Sequence, residues 1–372
     1  MTNPTLRTAV FLCIASLFGA LTLGCDKKDG QRESEDPSGS SDAGASKPKA
    51  SKADTDEPDL ARALGSVSAA RTGAGVAAAA AGGPPPNGIF GPGEADKAAA
   101  KASPAALTVG SDGVEPRVQL GPAPKAGSKR LGTVDLATQS DPQQGAVPIQ
   151  LALTLEALKP KAEADAGAPV LTQIVAKVTS AKINAPGVPA DLSQAVSKLK
   201  GSRVEYQIGA DGSASNVRSE IPKGVDPGYR DPIQALSDLL VAVTLPFPSK
   251  PVGVGAYWMV TSRDIVMGLD VVSYRLIKVE KIEGSAVHLS LNTKRYAASP
   301  AFELEGLPPD APRVMAEFRS QSEGKLTVSP GEGFPQSSEI QSMIGAALGA
   351  ADAKQRPMIQ VQSRATLTLG GG

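Results

Sequence analysis

Between residues 149 and 369, apolar and polar side chains alternate in run after run, the period of a strand with one buried face. Ile149, Leu151, Leu153 and Leu155 share one face, with Gln150, Ala152, Thr154 and Glu156 opposite. Residues 170–183 form a second such run, with Ile174, Ala176 and Val178 on one side. Residues 204–208 alternate too, and Gly209-Ala210-Asp211-Gly212 supplies a hairpin turn into a return strand over 215–221. Beyond Pro251 the pattern predicts strands over 256–266, 269–282, 286–298, 314–328, 336–346 and 358–369, with tight turns at Gly268 and Glu283-Gly284-Ser285. Sequential strands joined by short turns make an antiparallel meander. Several run to about twice the usual length of roughly 5–6 residues, and long strands accumulate twist.

Two helices interrupt the strands. Residues 191–200 open with Asp191 as a cap and stop at Gly201. Asp231-Pro232 opens the second, whose Ile233, Leu236, Leu239, Leu240 and Val243 have helical spacing and so dock on something. The expected fold is α+β and mainly antiparallel β. It is a long-stranded, strongly curved sheet or open half-barrel, with the two helices packed on its concave face or across an opening.

The N-terminal third differs. Residues 26–121 are mostly Ala, Gly, Pro, Ser, Asp and Lys, a composition that buries too little apolar surface to offset chain entropy. A possible helix over 59–81 presents almost only Ala. The region reads as a flexible tether, and about 95 such residues span roughly 50–60 Å root-mean-square. The expected organisation is a signal over 1–25, a tether over 26–121 and a β-rich folded domain over 122–372.

The signal has its own logic. Arg7 gives a positive start, residues 8–24 are uncharged and mostly apolar, and Asp26-Lys27-Lys28-Asp29 follows at once. The apolar run is short for a membrane-spanning helix, which wants about 20 residues, and an ordinary secretory signal or uncleaved anchor is the alternative. Leu21-Thr22-Leu23-Gly24-Cys25 resembles a lipobox, with Thr22 where Leu is more usual. That resemblance implies lipid on Cys25 and a mature chain beginning there. The expected localisation is the cell envelope, lipid-anchored to the inner or outer membrane, with the folded domain in the periplasm. Asp26 resembles an inner-membrane retention signal of some bacteria.

Composition removes chemistries. The only cysteines are Cys13, inside the signal, and Cys25, so the mature domain carries no disulfide and no thiol nucleophile. With a single histidine, Cys/His zinc sites are excluded and copper, haem and iron–sulfur ligation nearly so. No metal and no cofactor are expected. Lys plus Arg and Asp plus Glu both number 38, and aromatics are scarce, so nucleic acid is not an expected partner.

The remaining candidates are few. Gly253-Val254-Gly255 lacks the strand-then-helix context of a dinucleotide loop and reads as a close backbone approach at a strand start. His288 faces away from Val287, Leu289 and Leu291, and no Gly-x-Ser-x-Gly elbow accompanies it. Asp211 reads as a turn residue. Tyr257 and Trp258 stand on opposite faces of one strand, one in the core and the other a candidate for lining a ligand groove.

The segment Leu245-Pro246-Phe247-Pro248-Ser249-Lys250-Pro251-Val252-Gly253-Val254-Gly255-Ala256-Tyr257-Trp258, with the Gly209 to Gly212 turn and two flanking helices, resembles a family of functionally uncharacterised bacterial envelope lipoproteins carrying a Pro-Val-x-x-Gly-x-x-Trp segment. The resemblance covers residues 131–369. It implies an antiparallel β-rich fold and no catalytic residues. A curved sheet cradling helices is also similar, at the level of fold alone, to periplasmic lipoprotein carriers.

Long alternating strands and few catalytic side chains lead to one expectation: a non-catalytic binding or carrier domain, tethered to a membrane through Cys25, for an apolar ligand or client segment. The alternative is a structural or interaction lipoprotein with a solid core that binds an envelope protein partner. An enzyme ranks last, revived only by a deep pocket holding two close carboxylates.

Overall fold

A computed structural model describes residues 85–121, 124–139, 146–158, 171–209, 211–226, 229–266, 268–302, 313–349 and 358–370. All lie in the second of two compact units, which begins at Leu60. Cys25, the signal and residues 26–84 of the expected tether lie outside the described residues.

In chain order the elements are α1 (Glu94–Ala98), β1 (Ala106–Ser111), β2 (Val114–Val118), β3 (Lys129–Gln139), β4 (Val147–Ala157), β5 (Thr172–Ile183), α2 (Ala190–Ser197), β6 (Arg203–Ile208), β7 (Ala214–Glu220), α3 (Asp231–Val243), β8 (Val252–Val254), β9 (Tyr257–Val266), β10 (Leu269–Glu283), β11 (Ala286–Ala297), β12 (Met315–Val328), β13 (Ser337–Leu348) and β14 (Met358–Leu369). Twelve strands form one antiparallel sheet in the order β1-β9-β10-β11-β12-β13-β14-β3-β4-β5-β6-β7, and β2 pairs with β8. The chain is therefore mainly antiparallel β with few helices, an α+β protein.

The two halves of the sheet are meanders, β9 to β14 and β3 to β7, and β14 joins them by pairing with β3. Period-two alternation fixes this register, because a slip of one residue would turn every buried side chain to water. On β4, Leu151, Leu153 and Leu155 are buried, as the alternation requires.

Helix α3 supplies the other side of the core. Pro232 in its first turn suits a position where no helical N–H is needed. Ile233, Leu236, Leu239, Leu240 and Val243 are all buried, each stabilising by about 1.5–3 kcal/mol. Helix α2 starts at Ala190, so Asp191 lies in its first turn rather than at the cap, and the helix packs on β5.

Two hydrophobic clusters result. The first joins α3 to core-face residues from β3 to β6 and β9 to β14, from Trp258 on β9 to Leu155 on β4 and Tyr206 on β6. The second is smaller: Ile89, Leu269, Val271, Ala297, Phe302, Met315, Phe318 and Leu348, with Ile344, Ala346 and Ile359 packed against it.

The expected tether boundary at residue 121 is corrected. Residues 106–111 form an edge strand on β9, and residues 114–118 pair with β8. Ile89 bridges to Ala297 and is buried in the second cluster. These short segments carry too few apolar residues to show a period, and β9, β8 and β11 give them their hydrogen bonds. Strand β3 likewise shows no clear period in the sequence: Val134 and Leu136 are buried, but Gly132 and Thr133 blur its alternation.

Candidate binding site

Directly paired residues of an antiparallel ladder share a face, so the ladder registers give the make-up of the core face row by row. One row runs Trp258, Ile277, Leu291, Gly324, Ile340 and Ala365 from β9 to β14. It is apolar throughout and joins the first cluster.

Further along the same strands the chemistry changes. The next rows bring Val260, Arg275, Thr293, Ser322, Ser342 and Ser363 side by side, then Ser262, Ser273, Arg295, Ser320, Ile344 and Val361. Beyond them the second cluster resumes, with Phe318, Ala346 and Ile359 in one row. A polar belt thus crosses the core face between two apolar clusters. Ser262, Ser273, Arg275, Thr293, Ser320 and Ser322 in it are buried. Asp264 faces the same way from β9, opposite Val271, and Asp238 approaches from α3.

The belt is poorly satisfied. Arg275 is 7% exposed. Its guanidinium has five N–H donors, yet its two hydrogen bonds are long: 3.4 Å to Ser262 Oγ and 3.5 Å to the Val241 carbonyl of α3. Its Nε and the Ser273 hydroxyl have no partner. Arg295, diagonal to Arg275, donates to Ser322 Oγ at 2.8 Å and to Ser320 Oγ at 3.5 Å. Neither arginine makes a direct ion pair among the described residues. Asp264 accepts from Ser262 Oγ at 2.8 Å, and Asp238 accepts from Gln234 at 2.9 Å.

The electrostatics follow from that placement. Burial lowers the Arg295 guanidinium below the usual arginine range, the Asp264 and Asp238 carboxylates oppose this, and Arg275 adds to it. Burial pushes the Asp238 carboxyl up to about 6, against the Gln234 hydrogen bond and the attraction of Arg295. Arg295 is thus compensated by two nearby carboxylates without a direct ion pair, whereas the buried Arg275 guanidinium has only two long hydrogen bonds.

Space is unevenly distributed. Beside the first cluster, a cavity of about 20 Å³ lined by Leu120, Ile208, Val243 and Phe334 has room for one water. Beside the second, a cavity of about 480 Å³ is lined by Leu269, Asp270, Phe302, Arg313 and Met315. Between that cluster and the belt, Ile344, Ala346, Ile359 and Val361 are only half-buried, as are Arg295, Ser342 and Ser363.

The residues singled out from sequence have the following places. Trp258 is fully buried in the first cluster; its indole N–H donates to the Pro246 carbonyl at 3.0 Å and its ring meets Phe247 edge-on at 6.3 Å. Tyr257 is half-buried on the opposite face, lying where a Cβ on Gly110 would be. Both rings have packing roles, and neither belongs to the polar belt. Gly253 is a close approach, since a Cβ there would lie 1.7 Å from the Val114 carbonyl oxygen. His288 faces outward beside Glu283 at 3.2 Å and Thr327 at 3.3 Å. Asp211 caps its own turn, accepting from the Ser213 amide and hydroxyl.

Arg275, Arg295, Asp238 and Asp264 were not singled out from the sequence. Their signal is a break in composition without a break in phase: Leu269, Val271, Ser273, Arg275, Ile277 and Val279 keep strict period two. Among the described residues, no group of three or more His, Cys, Asp or Glu side chains is placed to hold a metal ion. No family model and no curated protein sequence matches the chain.

Proposed function

We propose that this is a membrane-tethered lipoprotein of the cell envelope whose folded domain is a non-catalytic carrier for an apolar ligand or client segment. The observation that carries this reading is the open pocket beside the second cluster. Its volume of about 480 Å³ falls within the usual range for ligand sites, about 300–1,000 Å³, and Ile344, Ala346 and Ile359, packed against the same cluster, are only half-buried. The finer architecture belongs to the same proposal: the sheet curls so that distant strands converge on α3, making an open half-barrel with one end filled and one end free. Membership of β9 and β6 in a single buried cluster supports that curl.

Native mass spectrometry of the full chain after mild extraction tests the carrier reading. Adducts of acyl-chain mass are expected, and a clean apo mass would count against it. Cys25→Ala tests the anchor, with an unprocessed or soluble precursor as the expected outcome and wild-type membrane partitioning as the contrary one.

The second reading, a solid-cored interaction protein, is favoured by the close packing around α3, where the cavity is only about 20 Å³. Stoichiometric cross-linking to one envelope protein, without adducts, would support it.

A further inference from the structure

We infer that the cargo is a single-chain amphiphile with an anionic head, a long-chain carboxylate, whose head is held by Arg295 and Arg275. The inference deepens the carrier reading and rests on it.

Three observations converge. The first is a deficit of acceptors. Two guanidiniums lie at diagonal positions on adjacent strands, a repulsive pair in a low-dielectric setting, and their partners are hydroxyls and one distant carbonyl. Arg275 Nε and Ser273 Oγ are buried donors without acceptors, and Ser273 stands directly opposite Arg295. An oxyanion placed among these groups accepts the missing bonds and relieves the repulsion.

The second is access. Arg295 is half-buried, whereas Arg275 is buried, so a head arriving from the solvent side meets Arg295 first. The third is continuity. From Arg295 the row continues through Ser320 to Ile344 and Val361, with Ala346 and Ile359 in the row beyond Ser320. Neighbouring strands lie about 4.8 Å apart, so this apolar strip begins roughly 10 Å from the Arg295 strand. That matches an amphiphile with its head at the arginines and its chain toward the second cluster. The carboxylates of Asp238 and Asp264 already offset the two guanidiniums in charge, so the head is drawn by the unmet hydrogen bonds, and a doubly charged head would be disfavoured.

The test compares hexadecanoate with hexadecanol, equal in chain and different in head charge, on the full chain by displacement of a fluorescent fatty acid. The expected result is at least a tenfold preference for hexadecanoate, the ratio that about 1.4 kcal/mol of charge-assisted bonding gives. Arg295→Gln should lower hexadecanoate affinity at least tenfold and remove the preference, with circular dichroism confirming a wild-type fold. If Arg295→Gln does not fold, Ser322→Val, which removes the hydroxyl that holds Arg295, should reduce the preference. Equal affinities for the two ligands overturn the inference and leave the carrier reading standing; binding of neither overturns the carrier reading itself. Acetate should not compete, and competition by acetate at matched concentration would replace the amphiphile with a free carboxylate.

Discussion

The same strands build two unlike regions. Where β9 to β12 face α3, the side chains in phase are Trp258, Ile277, Leu291 and Leu326, and the interior is filled. A few residues along, the side chains in phase are Ser262, Arg275, Arg295 and Ser320, and the surface beyond them is half-buried. Backbone, ladder and parity do not change between the two, so one strand carries both a packed apolar stretch and a polar one. The first region holds the sheet to its helix. The second buries hydroxyls and a guanidinium with fewer partners than they can use.

The largest test of that contrast is truncation in each region. Trp258→Ala should cost about 3–5 kcal/mol in urea unfolding, through lost burial and the cavity left behind. Ile344→Ala, already half exposed to water, should cost about 1 kcal/mol. Similar losses at the two positions would break the comparison.

Most of the fold was legible before the structure. The six strands after Pro251 and the apolar face of α3 follow from period and spacing, because burial on one face forces that alternation. What was not legible lacked a period. Residues 106–111 become a strand because β9 has a free edge, and β3 is hidden by Gly132 and by Thr133 beside the buried Val134. The candidate site was illegible for another reason. Arg275 and Arg295 lie twenty residues apart in sequence and become diagonal neighbours only through the β10–β11 ladder. Tyr257 and Trp258 stand out in the sequence by size, which marks an aromatic equally as a core anchor, the role that burial and the bond to Pro246 give Trp258.

A second test uses the charge that α3 brings toward the belt. Asp238 has its carboxyl pushed up to about 6 by burial, above an ordinary value of 3.8. A raised carboxyl favours the folded state while protonated, so its contribution is complete below about pH 4 and is lost as pH rises through 6. Asp238→Asn should therefore leave stability unchanged near pH 4 and raise it near pH 8, by at most about 3 kcal/mol. Chemical denaturation at the two pH values measures this. A variant less stable than wild type at pH 8 would mean that Asp238 is held by Arg295 rather than strained beside it.

The smallest effect is expected on the outer face, where the sign reverses. Arg263 on β9 points away from the core face and pairs with both carboxylate oxygens of Asp270, with Asp96 of α1 at 3.6 Å and Lys101 at 3.3 Å from Asp270 completing the group. Burial raises the Asp270 carboxyl, but Arg263 and Lys101 outweigh it and hold it below the usual range. A depressed carboxyl stabilises above its unfolded value and loses that contribution as pH falls through the folded one. Asp270→Asn should therefore destabilise by about 0.5–1 kcal/mol near neutral pH, a figure reduced because the carboxylate is partly exposed, with the difference closing as pH falls through the lowered folded value. The two arginines share a chemistry and sit on adjacent strands, yet the outward one has carboxylates on both sides while the core-facing Arg275 has a partnerless Nε. Both guanidiniums are almost fully buried, so what separates them is the supply of acceptors and not exposure to water.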